Sequence, residues 1–86
     1  MYKVPNPDAF REWLKTNGIT GAEAGRIVGV DSRAVRRWTA PPDQPGARSI
    51  PWAAWTLLRL YTGEMTLEEY RQAVAAEKMA GLEDIS

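Results

Sequence analysis

Four neighbouring side chains form the most specific chemical pattern in this sequence: Ser32, Arg33, Arg36 and Arg37. A guanidinium group presents a planar fork of N–H donors that matches paired acceptors, such as those of a phosphate or of a guanine edge. The same residues on a solvated surface helix would do no chemistry, and most charged helix faces are of that kind. The elements that position these residues decide between the two interpretations.

The stretch 20–38 carries the signals of two short helices joined by a tight turn. Thr20 and Glu23 have the spacing of a capping box, so the first helix is predicted to begin at Thr20. Gly29 lies where the chain must turn after two helical turns, and a residue without a Cβ adopts positive φ there at little cost. Val30 is expected to plug the turn with an apolar side chain, and Asp31 is a good N-cap for the second helix.

The second of these helices divides into an apolar side and a cationic side. Val35 and Trp38 lie three residues apart and therefore share the side that faces the core. The outer side is polar and positively charged, which suits the major groove of DNA. Ser32 and Arg33, just after the N-cap, and Arg36 one turn later are predicted to contact bases. Guanine is expected in the half-sites, under Arg33 or Arg36.

Further residues of the same stretch are candidate phosphate contacts. Arg37 is rotated from Arg36 by about 100° on a helix of 3.6 residues per turn, which directs it to the sugar-phosphate backbone. The free backbone N–H groups at the helix start, at Thr20 and Gly21, form a seat for an anion. Arg26 either reaches a phosphate or only covers the surface, and the sequence leaves both open.

The stretch 20–38 resembles, without a gap, the helix-turn-helix of the Cro and phage-repressor class. That class has a turn of leucine, glycine, valine and serine and a helix that ends in arginine and tryptophan; Val28–Asp31 and Arg37–Trp38 stand at these places. Gly25 departs from the usual alanine and lowers local helix propensity by about 1 kcal/mol. The subgroup most similar to this chain is the small phage-encoded regulators, including repressors that accompany anti-CRISPR genes.

This resemblance implies a lambda-repressor-like fold and a homodimer on a palindromic double-stranded DNA operator. It also implies that the loop after the second helix runs beside the DNA backbone. That loop, residues 40–49, contains three prolines, one glycine and a single cation, Arg48. Arg48 is expected to contact a phosphate or, alternatively, to pack its stem on the protein surface.

Other helices complete the prediction of a compact, all-α, five-helix bundle in one domain, residues 1–86, around a helix-turn-helix core at 20–38. Asn6–Pro7 is typical of a helix start, and Gly18 ends that helix. Ser49 is expected to cap a fourth helix that is buried on nearly all sides and ends at Gly63.

A fifth helix completes the C-terminal packing segment, residues 50–80. Thr66 with Glu69 forms a second capping box, and this helix is expected to reach about Met79 and to end at Gly81. Residues 82–86 are expected to be a frayed, acidic tail. The candidate dimer contacts on this segment are Met65, Val74 and Met79.

Composition excludes several classes of site. The 86 residues include no cysteine and no histidine, so neither a disulfide framework nor the usual zinc ligands are present. No nucleophile has a recognisable base beside it, and the sequence predicts no enzyme, no metal and no cofactor. The net charge is zero, yet residues 1–61 carry nine Lys/Arg against five Asp/Glu and residues 62–86 carry two against six. This asymmetry predicts a basic side for DNA and an acidic distal side.

The apolar run Ile50–Leu58 is too short to span a bilayer, and residues 1–7 lack the apolar region of a signal peptide, so a cytoplasmic protein is expected. The leading hypothesis is a sequence-specific transcriptional regulator, a repressor of phage or phage-derived origin, that reads the major groove with the helix at 32–39. The alternative is a helical protein-interaction module, antitoxin-like or an inhibitor protein, that acts through its acidic C-terminal face.

Overall fold

The computed structural model describes residues 3–85, and side chains as far as residue 77. Its helices, in chain order, are α1 (Pro7–Asn17), α2 (Gly21–Val28), α3 (Ser32–Thr39), α4 (Trp52–Thr62) and α5 (Leu67–Ile85). No strand occurs within residues 3–85. The prediction of an all-α fold with five helices is therefore confirmed.

Four helices begin where local capping signals predict. Each N-cap side chain accepts a hydrogen bond of 2.8–3.1 Å from the backbone N–H three residues further on: Asn6, Thr20, Asp31 and Thr66. Both capping boxes close, because the Glu23 and Glu69 carboxylates accept from the backbone N–H groups of their N-cap residues. These contacts satisfy N–H groups that the first turn of a helix otherwise leaves unpaired.

The start of α4 differs from the prediction. Pro51 is the N-cap and makes no side-chain capping bond, so Ser49 does not cap this helix. Ile50 precedes a proline, which disfavours helical backbone at that position, and its side chain is buried in the core. The extended segment ahead of Pro51 leaves Ser49 exposed and outside the helix.

The expectation that α4 is buried on nearly all sides is also wrong. Its buried residues are Ala54, Thr56 and Leu58, whereas Leu57 and Tyr61 are 45% and 69% exposed. A chain of this length has too little mass to enclose a helix completely. The helix therefore has one core side and one open apolar side.

The C-terminal helix is longer than predicted. It runs through Gly81 to Ile85, so Gly81 does not end it, and the predicted frayed tail is helical at 82–85 while residue 86 lies outside the described part. A glycine lowers helix propensity, but it ends a helix only where it adopts the left-handed conformation. Of the candidate dimer contacts, Met65 is buried, Val74 is 36% exposed, and the side chain of Met79 lies outside the described side chains.

The core lies between α1, α2, α3 and α4, and α2 contributes the fully buried Ala24. Aromatic rings from α1, α3 and α4 meet edge to face, with centroids 6.4 Å apart for Phe10 and Trp38 and 5.0 Å apart for Trp13 and Trp55. α3 packs against both α1 and α2, and α4 packs against α2. This arrangement fixes α3 from its inner side. Within the described part of the chain, no helix has the length and apolar character that crossing a bilayer requires.

Candidate nucleic-acid interface

The inner side of α3 anchors the candidate interface. Val35 and Trp38 are 1% and 6% exposed and pack in the core. Asp31 Oδ1 accepts a hydrogen bond of 3.0 Å from the Ala34 N–H, which fixes the first turn of the helix. The remaining long side chains of α3 point away from the core.

All four residues singled out on α3 are exposed, as the sequence predicts: Ser32, Arg33, Arg36 and Arg37. Among the side chains that the structure describes, the ion pairs are Arg11 with Asp8, Lys15 with Glu12 and Arg59 with Glu64. No α3 arginine takes part in them. The cationic face of α3 therefore keeps its charge available for an external anion.

The turn between α2 and α3 sets the position of this face. Gly29 adopts φ +80°, and the N–H groups of Gly29 and Val30 both donate to the Gly25 carbonyl oxygen, at 2.8 and 2.9 Å. A Cβ on Gly25 would lie 2.8 Å from the Val30 carbonyl oxygen, closer than such atoms approach. The two helices thus meet at a glycine that has no room for a side chain. The side chain of Val30, which is predicted to plug the turn, is instead 39% exposed. Backbone hydrogen bonds, including one from the Val30 N–H, close the turn without that side chain.

The start of α2 lies beside α3. An ideal Cβ on Gly21 would be 3.7 Å from Val35 Cγ1, so the first turn of α2 touches the buried side of α3. The Thr20 hydroxyl accepts from the Glu23 N–H at 3.1 Å and lies 3.2 Å from the Glu23 carboxylate. Thr20 is therefore engaged within the cap, and the exposed backbone at Gly21 is the part of this helix start that is open to a ligand.

A cleft of about 400 Å³ forms at the end of α3, where the following loop folds back. The Arg48 N–H donates to the Arg37 carbonyl oxygen at 3.0 Å, which ties the end of the loop to the helix. Within the loop, the Gln44 N–H donates to the Pro41 carbonyl oxygen at 3.0 Å. The lining residues are Arg36, Arg37, Ala40, Gln44, Pro45, Gly46, Ala47 and Arg48.

This cleft brings together three arginines that the sequence assigns to different roles. Arg36 is predicted to contact bases, whereas Arg37 and Arg48 are predicted to contact phosphates. All three line the same cleft, and its lining residues include no carboxylate. Arg33 lies outside it. Gln44 also lines this cleft, and the sequence does not predict it as a site residue. Its position depends on the path of the loop, for which the local sequence carries no signal.

Arg26 lies away from this group. It lines a separate cleft of about 270 Å³ between α2 and α4, together with Glu23, Ile27 and Tyr61. The candidate site residues therefore fall into three places: the exposed face of α3 with the cleft at its end, the start of α2, and the groove between α2 and α4. No group of three or more metal-ligating side chains occurs in the part of the chain described.

Comparison with known proteins gives two relatives. The chain is 39% identical over 62 residues to the transcriptional repressor protein KorC of Escherichia coli, which covers 69% of this chain and 67% of that protein. A second Escherichia coli KorC sequence is 42% identical over 57 residues, or 63% of this chain and 61% of that protein. No family model and no solved structure matches.

Both relatives are transcriptional repressors by name. The chain belongs to the KorC family.

Proposed function

We propose that this protein is a transcriptional repressor that binds double-stranded DNA and reads the major groove with α3. The observation that carries the proposal is the division of α3 into a buried side, at Val35 and Trp38, and an exposed side of one serine and three arginines that no described carboxylate neutralises. A short cationic helix fixed from behind is the geometry of a recognition helix. The KorC relatives support the same role.

The proposal assigns two kinds of contact to these residues. Ser32, Arg33 and Arg36 contact base edges, with guanine opposite Arg33 or Arg36, because the guanidinium fork matches guanine O6 and N7. Arg37 and Arg48 contact the DNA backbone. Their position in one cleft with Arg36 supports a backbone contact at the end of α3.

The start of α2 is a further proposed phosphate contact, made through the backbone N–H of Gly21. Thr20 supports it by capping the helix, since its own N–H donates to the Glu23 carboxylate. Arg26 lies beside Tyr61 in the other cleft, away from these residues, and the proposal leaves it out of the phosphate contacts.

Repression then follows from occupancy of a promoter. We propose a homodimer on a palindromic operator, with half-sites about one helical turn apart, acting in the cytoplasm and without catalytic activity or cofactor. The phage origin and the narrower similarity to the repressors that accompany anti-CRISPR genes stay predictions.

The test is selection of binding sites from a randomised duplex library, followed by sequencing, with the native protein and the variants Arg33→Ala and Arg36→Ala. Arg71→Ala is the matched control, because it also removes an exposed arginine, from α5 instead of α3. The expected result is a palindromic motif that contains guanine. Each α3 variant relaxes the preference at its own position by about 1–3 kcal/mol, whereas the control leaves the motif unchanged.

The opposite result identifies the alternative. A protein-interaction module acting through its acidic face selects no motif and is indifferent to loss of Arg33 and Arg36. If neither the native protein nor the control enriches any sequence above a weak, salt-sensitive background, the repressor proposal is wrong.

A further inference from the structure

The open side of α4 is apolar along its whole length. Ala53, Leu57 and Tyr61 recur every four residues, so they form one stripe on the helix, and all three are exposed. Exposed helix faces of globular proteins normally carry charged residues. The one charged residue of α4 is Arg59, and it is engaged elsewhere, with Glu64 at 2.8 Å and over the Trp55 ring at 5.6 Å.

A groove meets this stripe at Tyr61. The cleft of about 270 Å³ between α2 and α4 is lined by Glu23, Arg26, Ile27 and Tyr61. Tyr61 is 69% exposed and projects at its edge. The surface therefore combines a protruding aromatic ring with an adjacent recess that contains an apolar residue, one acid and one base.

These properties fit a second copy of the same chain. A two-fold interface uses one patch twice, so the patch must complement itself. In a two-fold pair, Tyr61 of one copy can face the recess of the other. Arg26 can then face the partner's Glu23 carboxylate, which also accepts hydrogen bonds from Thr20 within its own helix cap. A partner with a charged patch of one sign would not be matched in this way.

The location is also compatible with DNA binding. α4 packs against α2, whereas α3 is held by α1 and α2, so the stripe and the cationic face belong to different helices.

We propose that the stripe Ala53, Leu57 and Tyr61, with the groove beside Ile27, is the homodimer interface, in which Tyr61 of each copy inserts beside Ile27 of the other. The inference rests on the proposed function only for the role of the dimer, which is to bind two half-sites. The proposed dimer itself forms in solution without DNA. It places the interface on α2 and α4, within the predicted dimerisation segment 50–80 for α4 but away from the predicted contacts Met65, Val74 and Met79.

Sedimentation equilibrium from about 1 to about 100 µM tests the inference, with the full chain and the variants Leu57→Lys and Tyr61→Lys. Leu67→Lys is the matched control, because Leu67 is 55% exposed and lies on α5. The expected result is a native dimer whose dissociation constant rises at least about tenfold in both α4 variants and not in the control. Circular dichroism melting checks that each variant is folded.

Three outcomes overturn the proposal: a native protein that stays monomeric over the whole range, α4 variants that dimerise like the native chain, or a control that loses the dimer as they do. The DNA-binding proposal is tested separately, on a duplex with a single selected half-site. A folded Tyr61→Lys variant that is monomeric but still binds one half-site supports both proposals, whereas a dimer that binds no DNA supports only the interface.

Discussion

At the scale of single residues, Gly25 has the most constrained position in the candidate interface. Its carbonyl oxygen accepts both hydrogen bonds that close the turn, and a Cβ there would lie 2.8 Å from the Val30 carbonyl oxygen. The obstacle is backbone, which cannot rotate away as a flexible side chain can. A side chain at this position therefore requires the backbone of the turn to move.

We therefore expect Gly25→Ala to destabilise the fold by about 1–3 kcal/mol, even though alanine is the better helix former by about 1 kcal/mol. Urea denaturation measures the change. Gly21→Ala is the control in the same helix, because its Cβ would meet Val35 at an ordinary 3.7 Å. A Gly25→Ala protein as stable as Gly21→Ala would show that α2 and α3 can separate freely.

Thr56 is a second residue with a specific energetic role. It is 3% exposed, and its Oγ1 has no hydrogen-bond partner within the described part of the molecule. A buried hydroxyl without a partner costs about 1–3 kcal/mol, and valine has nearly the same shape. We expect Thr56→Val to raise the free energy of unfolding by about 1 kcal/mol. Thermal melting checks the direction, and a lower melting temperature would mean that the hydroxyl does find a partner.

At the scale of elements, helix starts could be predicted where one side chain decides them. Asn6, Thr20, Asp31 and Thr66 each cap the residue three positions on, a contact that depends only on local sequence. The start of α4 could not be predicted from a capping side chain, because its N-cap, Pro51, makes no such bond. It depends instead on the burial of Ile50 in the core.

The turn from α4 to α5 is joined to α1 by one carboxylate. Glu64 accepts from Trp13 Nε1 at 3.0 Å and from Arg59 Nε at 2.8 Å. The Trp13 hydrogen bond is the main cause that lowers the pKa of Glu64. Burial opposes it, and the hydrogen bond and charge of Arg59 add to the lowering, so the pKa lies below its ordinary value. A depressed folded-state pKa means that stability is present above the unfolded value and is lost as the pH falls through the folded value.

We expect this contact to weaken between about pH 5 and the lowered pKa of Glu64, with a loss below about 1 kcal/mol because the carboxylate is partly exposed. Glu64→Gln should reduce the difference between unfolding free energies measured at neutral and at acid pH. Some acid dependence should remain, since hydrogen bonds from Thr66 also lower the pKa of Glu69. An unchanged pH profile in the variant would show that Glu64 contributes nothing to it.

At the scale of the whole molecule, the sequence predicts which arginines are exposed but not which of them meet. Arg33, Arg36 and Arg37 follow from helix periodicity once Val35 and Trp38 are placed in the core. Helix periodicity does not predict that Arg36, Arg37 and Arg48 line one cleft. That arrangement depends on the path of the loop, which the hydrogen bond from the Arg48 N–H to the Arg37 carbonyl oxygen fixes.

The charge distribution determines how DNA binding should depend on salt. With zero net charge, the chain gains no general attraction to DNA, so binding must come from the local cations of residues 1–61. Each phosphate that an arginine neutralises releases counterions, and log affinity therefore falls linearly with log salt. Arg37→Ala and Arg48→Ala should each make this slope shallower by about 1, with little change in the selected motif.

Fluorescence anisotropy on the selected operator, over a series of salt concentrations, measures these slopes. Arg71→Ala on α5 makes the same change of charge away from α3 and should keep the native slope. If Arg71→Ala lowers the slope as much as Arg37→Ala does, the charge of the whole molecule drives binding. A shallower slope in the two cleft variants alone places the backbone of the operator along the end of α3.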